Sequence, residues 1–413
     1  MPTAPSSRPR TRKTTPVALA AAGTLVAAVS ATSSLLGASS AFAAPRTAQH
    51  KAMVAKAMVT KAMVTKATVA KAMVTKAGEA PPRAKVAISE TGSTLLYPLF
   101  QLWAPAYHKH YPNITITPQG TGSGTGISDA EAGSIDIGAS DAYLSPTDFA
   151  QYRGIMNVPL AISAQMVNYN VKGVPASTHQ KLDGGVLAAI DEGHITNWDD
   201  PHIKSLNPGV KLPNEKIVAL HRSDASGDTF IFSTYLSDSN PGGWGKSIGY
   251  GTSISFPSIS NALAEEGNGG MVTGCEKTPG CIAYVGISYK HETDAGHLGE
   301  AMLRNRSGTF HLPVAATIIS EAGAAYEQTP PDEALSLVYD GARGGYPIIN
   351  YEYAIIPAKE PNATTAQAVK ALLYWAIDPK GGSSPSFLDQ VGFQPLPTSI
   401  AQLSAAQIAK VKG

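Results

Sequence analysis

At 413 residues, 43% of them hydrophobic and 15% charged, the chain is long enough for two globular domains with a generous core. The formal charge of +1 conceals an asymmetry, because residues 1–84 hold 12 of the 32 basic side chains and one of the 31 acidic ones. In residues 85–413, 20 basic side chains therefore face 30 acidic ones, a formal charge of −10. This balance excludes the basic surface that nucleic-acid-binding proteins need.

The amino terminus predicts an export signal. Four basic side chains between Arg8 and Lys13 precede an Ala/Val/Leu-rich stretch that starts at Val17, and the A-F-A sequence ending at Ala43 matches a cleavage site. We expect residues 1–43 to be a signal peptide and the mature protein to be exported. The apolar stretch is long enough that an uncleaved membrane anchor stays open as an alternative.

Residues 44–84 form a low-complexity, Lys-rich segment in which pentads such as KAMVT recur from Lys51 to Lys76. Five residues advance a helix by about 140° beyond a full turn, and an odd period alternates between the two faces of a strand. Neither arrangement collects the apolar side chains on one face. We expect a tether without a core, and the functional alternative is a cationic spacer that lies against anionic polymers of the cell envelope.

Three later segments share one design, in which small and hydroxyl residues form a turn before a helix-like run. They are E-T-G-S-T at 90–94, G-T-G-S-G-T-G at 120–126 and S-D-A-S-G-D at 223–228. A helix N-terminus leaves backbone N–H groups unpaired and carries partial positive charge, and glycines let a ligand approach that backbone. One such turn is ordinary helix capping. Three of them, with Arg222 beside the third, predict an enclosed site for a small oxyanion.

Strand-like and helix-like runs alternate from Lys85 onward, which is typical of an α/β fold with ligands at the carboxyl ends of the strands. The segments VAIS, ITITPQG and IDIGASD are strand-like, the last ending at Asp141. Late in the chain, the strand-like YPIINYEYAII precedes the helical TTAQAVKALLYWAI. The Gly- and Pro-rich stretch 238–283 favours loops.

The cysteines Cys275 and Cys281 flank a Pro-Gly loop in GCEKTPGC. Two cysteines without nearby histidines make a poor zinc site. In an exported protein we expect them to form a structural disulfide.

Common catalytic and cofactor motifs do not fit this chain. The glycine run at 120–126 has neither the spacing of a dinucleotide loop nor the Lys-Ser/Thr of a P-loop. The sequence contains no GxSxG or HExxH motif, and we find no Ser-His-Asp set. We therefore expect a protein that is not an enzyme, without catalytic residues, cofactor or metal.

Several longer segments then carry a resemblance to a known family. They are ETGSTLLYPLF, QGTGSGTGI, IDIGASDAYL, ITNWDDPHIKSLNPGVKLP, HRSDASGDTFIF, GYPIINYEYAII and FLDQVGFQPLP. Their order resembles that in the phosphate-binding proteins of the bacterial phosphate-specific ABC transporter. The actinobacterial branch also shares GNGGMVTGCEKTPGCIAYVGIS. The resemblance covers about residues 85–413 and leaves out the signal region and the repeat.

The resemblance implies a two-lobed, type II periplasmic-binding-protein fold with the ligand cleft between the lobes. Lobe 1 would comprise residues 85–165 and 346–413, and lobe 2 residues 166–345. The matching motifs imply a set of phosphate-binding residues: Thr94, Leu95, Ser123, Asp141, Arg222, Ser226, Gly227 and Asp228. The implied protein is a monomer that captures inorganic phosphate and delivers it to a membrane ABC permease.

Asp141 explains selectivity in this picture, because phosphate carries a proton at neutral pH that a carboxylate can accept, whereas sulfate does not. Its alternative role is as a partner of Arg222 or a helix cap. Asp228 stands where many family members have Thr; it is either a second proton acceptor or a charge at a helix N-terminus. Actinobacterial relatives are commonly lipoproteins, but no cysteine precedes Cys275 here, so we expect a protein of the cell envelope or extracellular space without a lipid anchor.

Three other functions stay open from the sequence. A phosphatase-like hydrolase could use the same anion cradle, although it would need a nucleophile with a base or a metal cluster. A receptor for another oxyanion, such as sulfate or molybdate, would have to accommodate Asp141. An adhesin or surface antigen could coexist with phosphate binding.

Overall fold

The computed structural model describes residues 80–413. The expected signal peptide at 1–43 and nearly all of the tether at 44–84 lie outside the described residues. Within them, no helix combines the length and hydropathy that crossing a bilayer requires.

The described part of the chain contains twelve strands. They are β1 (Val86–Gly92), β2 (Ile114–Gly120), β3 (Ile137–Ser140), β4 (Ile155–Asn170), β5 (Lys181–Leu182), β6 (Val218–Arg222), β7 (Ala262–Glu265), β8 (Cys281–Gly286), β9 (Gly299–Glu300), β10 (Met302–Arg304), β11 (Phe310–His311) and β12 (Ile349–Pro357). The strands predicted from VAIS, ITITPQG, IDIGASD and YPIINYEYAII are confirmed as β1, β2, β3 and β12.

Thirteen α-helices lie between and after these strands in residues 80–413. They are α1 (Tyr97–His110), α2 (Ser123–Ala132), α3 (Pro146–Gln151), α4 (Gly184–Asp191), α5 (Pro201–Leu206), α6 (Gly227–Ser239), α7 (Trp244–Ser247), α8 (Gly267–Lys277), α9 (Lys290–Ala295), α10 (Ala315–Ala325), α11 (Ala363–Ile377), α12 (Pro385–Leu388) and α13 (Thr398–Ile408). Short 3₁₀ turns occupy 176–178, 287–289, 326–328 and 389–391.

Nine strands form one large mixed sheet in the order β2-β1-β3-β12-β4-β8-β6-β7, with β9 paired to β4. β1 pairs in parallel with β2 and β3, whereas β12 runs antiparallel to both β3 and β4. On the far side of β4, β8 is antiparallel to β4 and parallel to β6. β5, β10 and β11 form a separate three-stranded sheet.

β4 joins two halves of the large sheet. Its residues 155–164 pair with β12, and its residues 165–170 pair with β8. Side chains along nearly all of β4 and β12 are buried, so both strands are covered on both faces, as buried strands of α/β proteins are. The change of partner at Ala164 and Gln165 sets the middle of β4 beside the carboxyl ends of β3 and β6.

The expectation of loops across 238–283 is wrong for its second half, which forms β7, α8 and the start of β8. Glycine-rich sequence favours turns, but in α8 two of the glycines lie close to another side chain. A Cβ at Gly270 would lie 3.6 Å from Glu265 Cβ, and one at Gly274 would lie 2.6 Å from Glu265 Oε1. Both glycines therefore lie on the face of α8 that packs against Glu265 of β7.

The predicted disulfide between Cys275 and Cys281 is present, and both residues are fully buried. It links the last turn of α8 to the first residue of β8. Asn170 Nδ2 donates to the Cys275 carbonyl oxygen over 3.0 Å, which also ties this corner to β4. The opposite ends of α8 and β8 lie at the candidate site described next.

Candidate anion-binding site

The three turns singled out in the sequence converge at the centre of the large sheet. Each is followed by the expected helix, since α1, α2 and α6 begin at Tyr97, Ser123 and Gly227. The eight residues predicted to bind the anion are all buried: Thr94, Leu95, Ser123, Asp141, Arg222, Ser226, Gly227 and Asp228. Their convergence follows from the topology, because β1, β3 and β6 all end at this point.

The second and third turns contact each other directly. Gly124 N donates to the Ala225 carbonyl oxygen over 2.9 Å. A Cβ at Gly227 would collide with the Asp141 carboxylate and lie 2.6 Å from Ser123 Oγ. Gly227 therefore places the N-terminus of α6 against Asp141 and Ser123, an approach that a side chain would prevent.

Arg222, at the end of β6, is held by two carboxylates. Its guanidinium makes a bidentate contact with Asp224, in which Nε lies 2.6 Å from Oδ1 and Nη2 bonds Oδ2. Nη1 donates to Asp228 Oδ2 over 2.8 Å. Burial disfavours the charge on Arg222, but both carboxylates outweigh it and raise the pKa of the guanidinium. Two of its five N–H groups remain for a ligand.

Asp224 was not among the predicted site residues, although it lies two positions after Arg222. Burial favours its neutral form, yet the hydrogen bond and charge of Arg222 lower the pKa of the carboxyl. Gly267 N, at the start of α8, donates to its Oδ1 over 3.1 Å. Asp224 thus fixes the plane of the guanidinium and ties α8 to the third turn.

Asp228 accepts hydrogen bonds from three side chains. Arg222 Nη1 and Asn268 Nδ2 donate to its Oδ2, the latter over 2.7 Å, and Gln165 Nε2 donates to its Oδ1 over 3.1 Å. Burial raises the pKa of Asp228, against the lowering effect of Arg222, Gln165 and Asn268. One acceptor position, on Oδ1, is left for a ligand.

Asn268 connects the first turn to the third, and sequence reasoning missed it. Both its backbone N and its Nδ2 donate to Thr94 Oγ1, over 3.3 Å and 3.0 Å. Its Oδ1 accepts from Gly286 N over 2.7 Å, so the amide orientation is fixed. Because the acceptor positions of Thr94 are occupied, its hydroxyl proton is free to be donated to an anion.

Asp141 follows β3 and accepts from two serines. Ser93 Oγ bonds its Oδ1, and Ser123 Oγ lies 3.3 Å from its Oδ2. Burial, followed by the charge of Asp228, raises the pKa of Asp141 to about 7. Ser93 was not predicted as a site residue, although it lies in the first turn.

The charges at this site do not sum to a positive field. Arg222 is offset by Asp224 and Asp228, and Asp141 adds a further carboxyl. An anion must therefore be held by hydroxyl and backbone donors and by the two open N–H groups of Arg222. Because carboxyl oxygens also line the site, the anion that fits is one that carries a proton.

Comparisons with known proteins agree with this chemistry. Residues 75–380 match the model of the PBP superfamily domain. The phosphate-binding protein PstS of Methanocaldococcus jannaschii is 32% identical over 345 residues, which cover 79% of this chain and 87% of that protein. The chain belongs to the PstS family of phosphate-binding proteins.

A relative in Mycobacterium bovis, phosphate-binding protein PstS3, is 32% identical over 337 residues, covering 78% of this chain and 86% of that protein. Among solved structures, a high-affinity periplasmic phosphate-binding protein bound with phosphate superposes with a TM-score of 0.62 at 21% identity. The match covers 78% of this chain and 93% of that one. The expected periplasmic-binding-protein fold is thereby confirmed.

Proposed function

We propose that this protein is an extracytoplasmic receptor that captures inorganic phosphate and delivers it to an ABC-type permease. The observation that carries the proposal is the pairing of Arg222, with two open N–H groups, and Asp141, a buried carboxyl whose acceptor positions are partly filled by serines. Together they offer both donors and an acceptor to one small ligand. Hydrogen phosphates match that combination, whereas sulfate lacks the proton.

We assign the ligand contacts to the first, second and third turns. From the first turn, Thr94 would donate its hydroxyl, and the Leu95 N–H, which bonds Ser93 Oγ over 3.1 Å, would be shared with the ligand. From the second turn, Ser123 would donate its backbone N–H, because its hydroxyl bonds Asp141. Arg222, Ser226 and Gly227 would donate from the third turn, and Asp141 and Asp228 would accept the ligand's protons.

The two halves of the large sheet support a division into lobes at 165/166 and 345/346. The first half holds β1, β2, β3 and β12, and the second holds β6, β7 and β8, with β4 shared. Phosphate would lie between the halves, where donors from both are within reach. Closing of the halves over the ligand would present a distinct surface to the permease.

Calorimetric titration of the exported protein with phosphate and sulfate tests the function. We expect one phosphate per chain and sulfate binding weaker by about 100-fold or more, as a buried unpaired acceptor demands. A chromogenic phosphomonoester is added in a second assay, in which we expect no hydrolysis. Turnover of the ester would identify a hydrolase, and equal affinity for the two anions would identify a receptor for another oxyanion.

A further inference from the structure

Glu352 is a buried carboxyl behind the site that the sequence did not single out. It lies in the middle of β12, with no exposed surface. Its Oε1 accepts from Ser163 Oγ on β4, but its Oε2 receives no hydrogen bond from any N–H or O–H group of residues 80–413. After burial, the largest influences on Glu352 come from the Asp141 carboxyl, whose charge and hydrogen bonding raise the pKa of Glu352.

Strand register brings the two carboxyls together. In the antiparallel pair of β3 and β12, Tyr353 lies opposite Ser140, so one further step sets Glu352 opposite Asp141. On its other side, β12 passes an irregularity against β4, where Glu352 pairs with Ala161 and Tyr353 with Pro159. Bulges of this kind re-aim side chains next to binding sites, and a proline cannot complete the ladder there.

A hydrogen bond between two carboxyl groups requires a proton on one of them, and the surrounding donors decide which. Ser93 Oγ accepts from the backbone N of Leu95 and of Leu96, so its own proton points to Asp141. Asp141 also accepts a hydrogen bond from the Ser123 hydroxyl, whereas Glu352 accepts one from the Ser163 hydroxyl alone among residues 80–413. The hydrogen bonds that these residues donate therefore favour Asp141 as the ionised partner and leave the proton on Glu352.

We propose that Glu352 is a proton-bearing positioning residue of the anion site, whose carboxylic acid donates to Asp141 and holds it as an ionised acceptor. This inference rests on the proposed function and names the group that sets its selectivity. With Ser93, Ser123 and Glu352 donating from behind, Asp141 keeps one acceptor position for the ligand. Only an anion that brings its own proton can fill it.

The other charged groups around the pair act on both carboxyls. Burial raises the pKa of Glu352 well above its ordinary range, and the charges of Asp141 and then Asp228 raise it further. Burial and the charge of Asp228 raise the pKa of Asp141, whereas Glu352, Ser93 and Arg222 lower it and favour the ionised form. Without the donor from Glu352, Asp141 would lose one of the groups that stabilise its charge. It would then take up a proton and offer the ligand a donor, which sulfate can accept.

Two substitutions separate this role from simple packing. Glu352→Gln keeps an amide N–H for Asp141 and an oxygen for Ser163, whereas Glu352→Leu keeps the bulk and removes the donor. We expect Glu352→Gln to retain the wild-type ratio of sulfate to phosphate dissociation constants. Glu352→Leu should lower that ratio by about tenfold or more, as an uncompensated buried acceptor predicts. An unchanged ratio in folded Glu352→Leu would overturn the proposal.

Infrared spectroscopy gives a second measurement that needs only the isosteric variant. Wild-type protein at neutral pH should show a protonated carboxyl C=O band that is missing in Glu352→Gln and that shifts when phosphate is added. The control is Glu333→Gln, because Glu333 is also a buried glutamate bonded to a serine but lies outside the site. Its substitution should remove a band that phosphate does not shift. If Glu352→Gln removes no such band, Glu352 is ionised and the proposal fails.

These outcomes are distinguishable from failure of the proposed function. Wild-type protein that does not prefer phosphate over sulfate refutes the receptor function itself. Wild-type protein that does prefer phosphate, with the same preference in Glu352→Leu, refutes only the role of Glu352.

Discussion

Two buried glutamates make the same local contact and differ in everything around it. Glu333 Oε1 accepts from Ser404 Oγ over 2.9 Å, and Glu352 Oε1 accepts from Ser163 Oγ. Glu333 has no other carboxyl bonded to it among residues 80–413, whereas Glu352 meets Asp141, which in turn interacts with Asp228 and Arg222. A lone buried carboxyl affects only stability, while coupled carboxyls beside a buried arginine can select a ligand by its protons.

The largest expected effect comes from removing Arg222, the buried cation that distinguishes the surroundings of Glu352 from those of Glu333. Arg222→Ala removes every donor of the guanidinium and leaves the buried Asp228 and the partly buried Asp224 without their partner. We expect phosphate affinity to fall by at least about 100-fold and the free energy of unfolding by about 3–5 kcal/mol. Calorimetry and denaturant unfolding measure the two quantities.

Arg304→Ala is the matched control for this variant. Arg304 is half-exposed and its nearest carboxylate, Asp183, is 3.6 Å away. An exposed pair contributes about 1 kcal/mol or less, so affinity and stability should both stay close to wild type. Equal losses in Arg222→Ala and Arg304→Ala would contradict the comparison.

Glu333 allows the effect of a buried carboxyl on stability to be tested apart from any effect on ligand binding. Burial raises the pKa of Glu333 to about 9, so the folded state keeps its proton while the unfolded chain ionises from about pH 4.5 upward. Its contribution to stability is fully present below that pH and is lost progressively as pH rises to about 9, by up to about 1.4 kcal/mol per unit. Glu333→Gln should flatten this fall in melting temperature and leave phosphate affinity unchanged. A variant with the wild-type pH slope would show that Glu333 is not protonated.

Asp141→Asn tests the role of Asp141 in the preference for phosphate over sulfate. The amide presents an N–H where the carboxylate presented an acceptor, so sulfate should bind more tightly and phosphate less tightly. We expect the preference for phosphate over sulfate to drop by about 10- to 100-fold, which corresponds to one unpaired buried group. Competition between the two anions, followed by intrinsic fluorescence, measures the change. A preserved preference would show that Asp141 only supports Arg222.

The three turns and Arg222 could be found from sequence because each has a local signature. Glycines and hydroxyl residues before a helix-like run mark a helix N-terminus that can meet an anion, whatever the rest of the chain does. The strands β1, β2, β3 and β12 were also predictable, since each is a run of apolar or alternating residues of ordinary strand length.

The remaining site residues could not be found this way because tertiary structure alone gives them their role. Glu352 is one acidic residue in an apolar strand, and only the register of β12 against β3 sets it opposite Asp141. Gln165 and Asn268 reach Asp228 from separate elements, at sequence distances of 63 and 40 residues. A charged residue within a mostly apolar predicted strand, such as Glu352 in YPIINYEYAII, was the one local sign of a buried functional group, and it does not identify the partner of that group.

Substitution of Asp228 gives the smallest expected effect on phosphate affinity, and it tests whether this carboxyl recognises the ligand together with Asp141. Arg222, Asn268 and Gln165 already donate to it, so its single open position on Oδ1 can take one ligand proton. If Asp141 accepts one proton and Asp228 another, the dihydrogen form of phosphate should bind best. Affinity should then weaken as pH rises through the second ionisation of phosphate. Asp228→Thr replaces that acceptor by a neutral hydroxyl and should flatten the pH profile, changing affinity by less than about tenfold at any pH.

The control for Asp228→Thr is its stability, because the substitution also removes a negative charge from the first turn of α6. The helix dipole accounts for about 0.3–1 kcal/mol of the loss and the broken buried pair with Arg222 for up to about 3–5 kcal/mol, and both losses should be independent of phosphate. Superimposable pH profiles of phosphate affinity for the two proteins would show that Asp228 serves only Arg222 and its helix. In that case Asp141, supported by Glu352, is the one carboxyl among residues 80–413 that accepts the ligand's proton, and Asp228 does not contribute to selectivity.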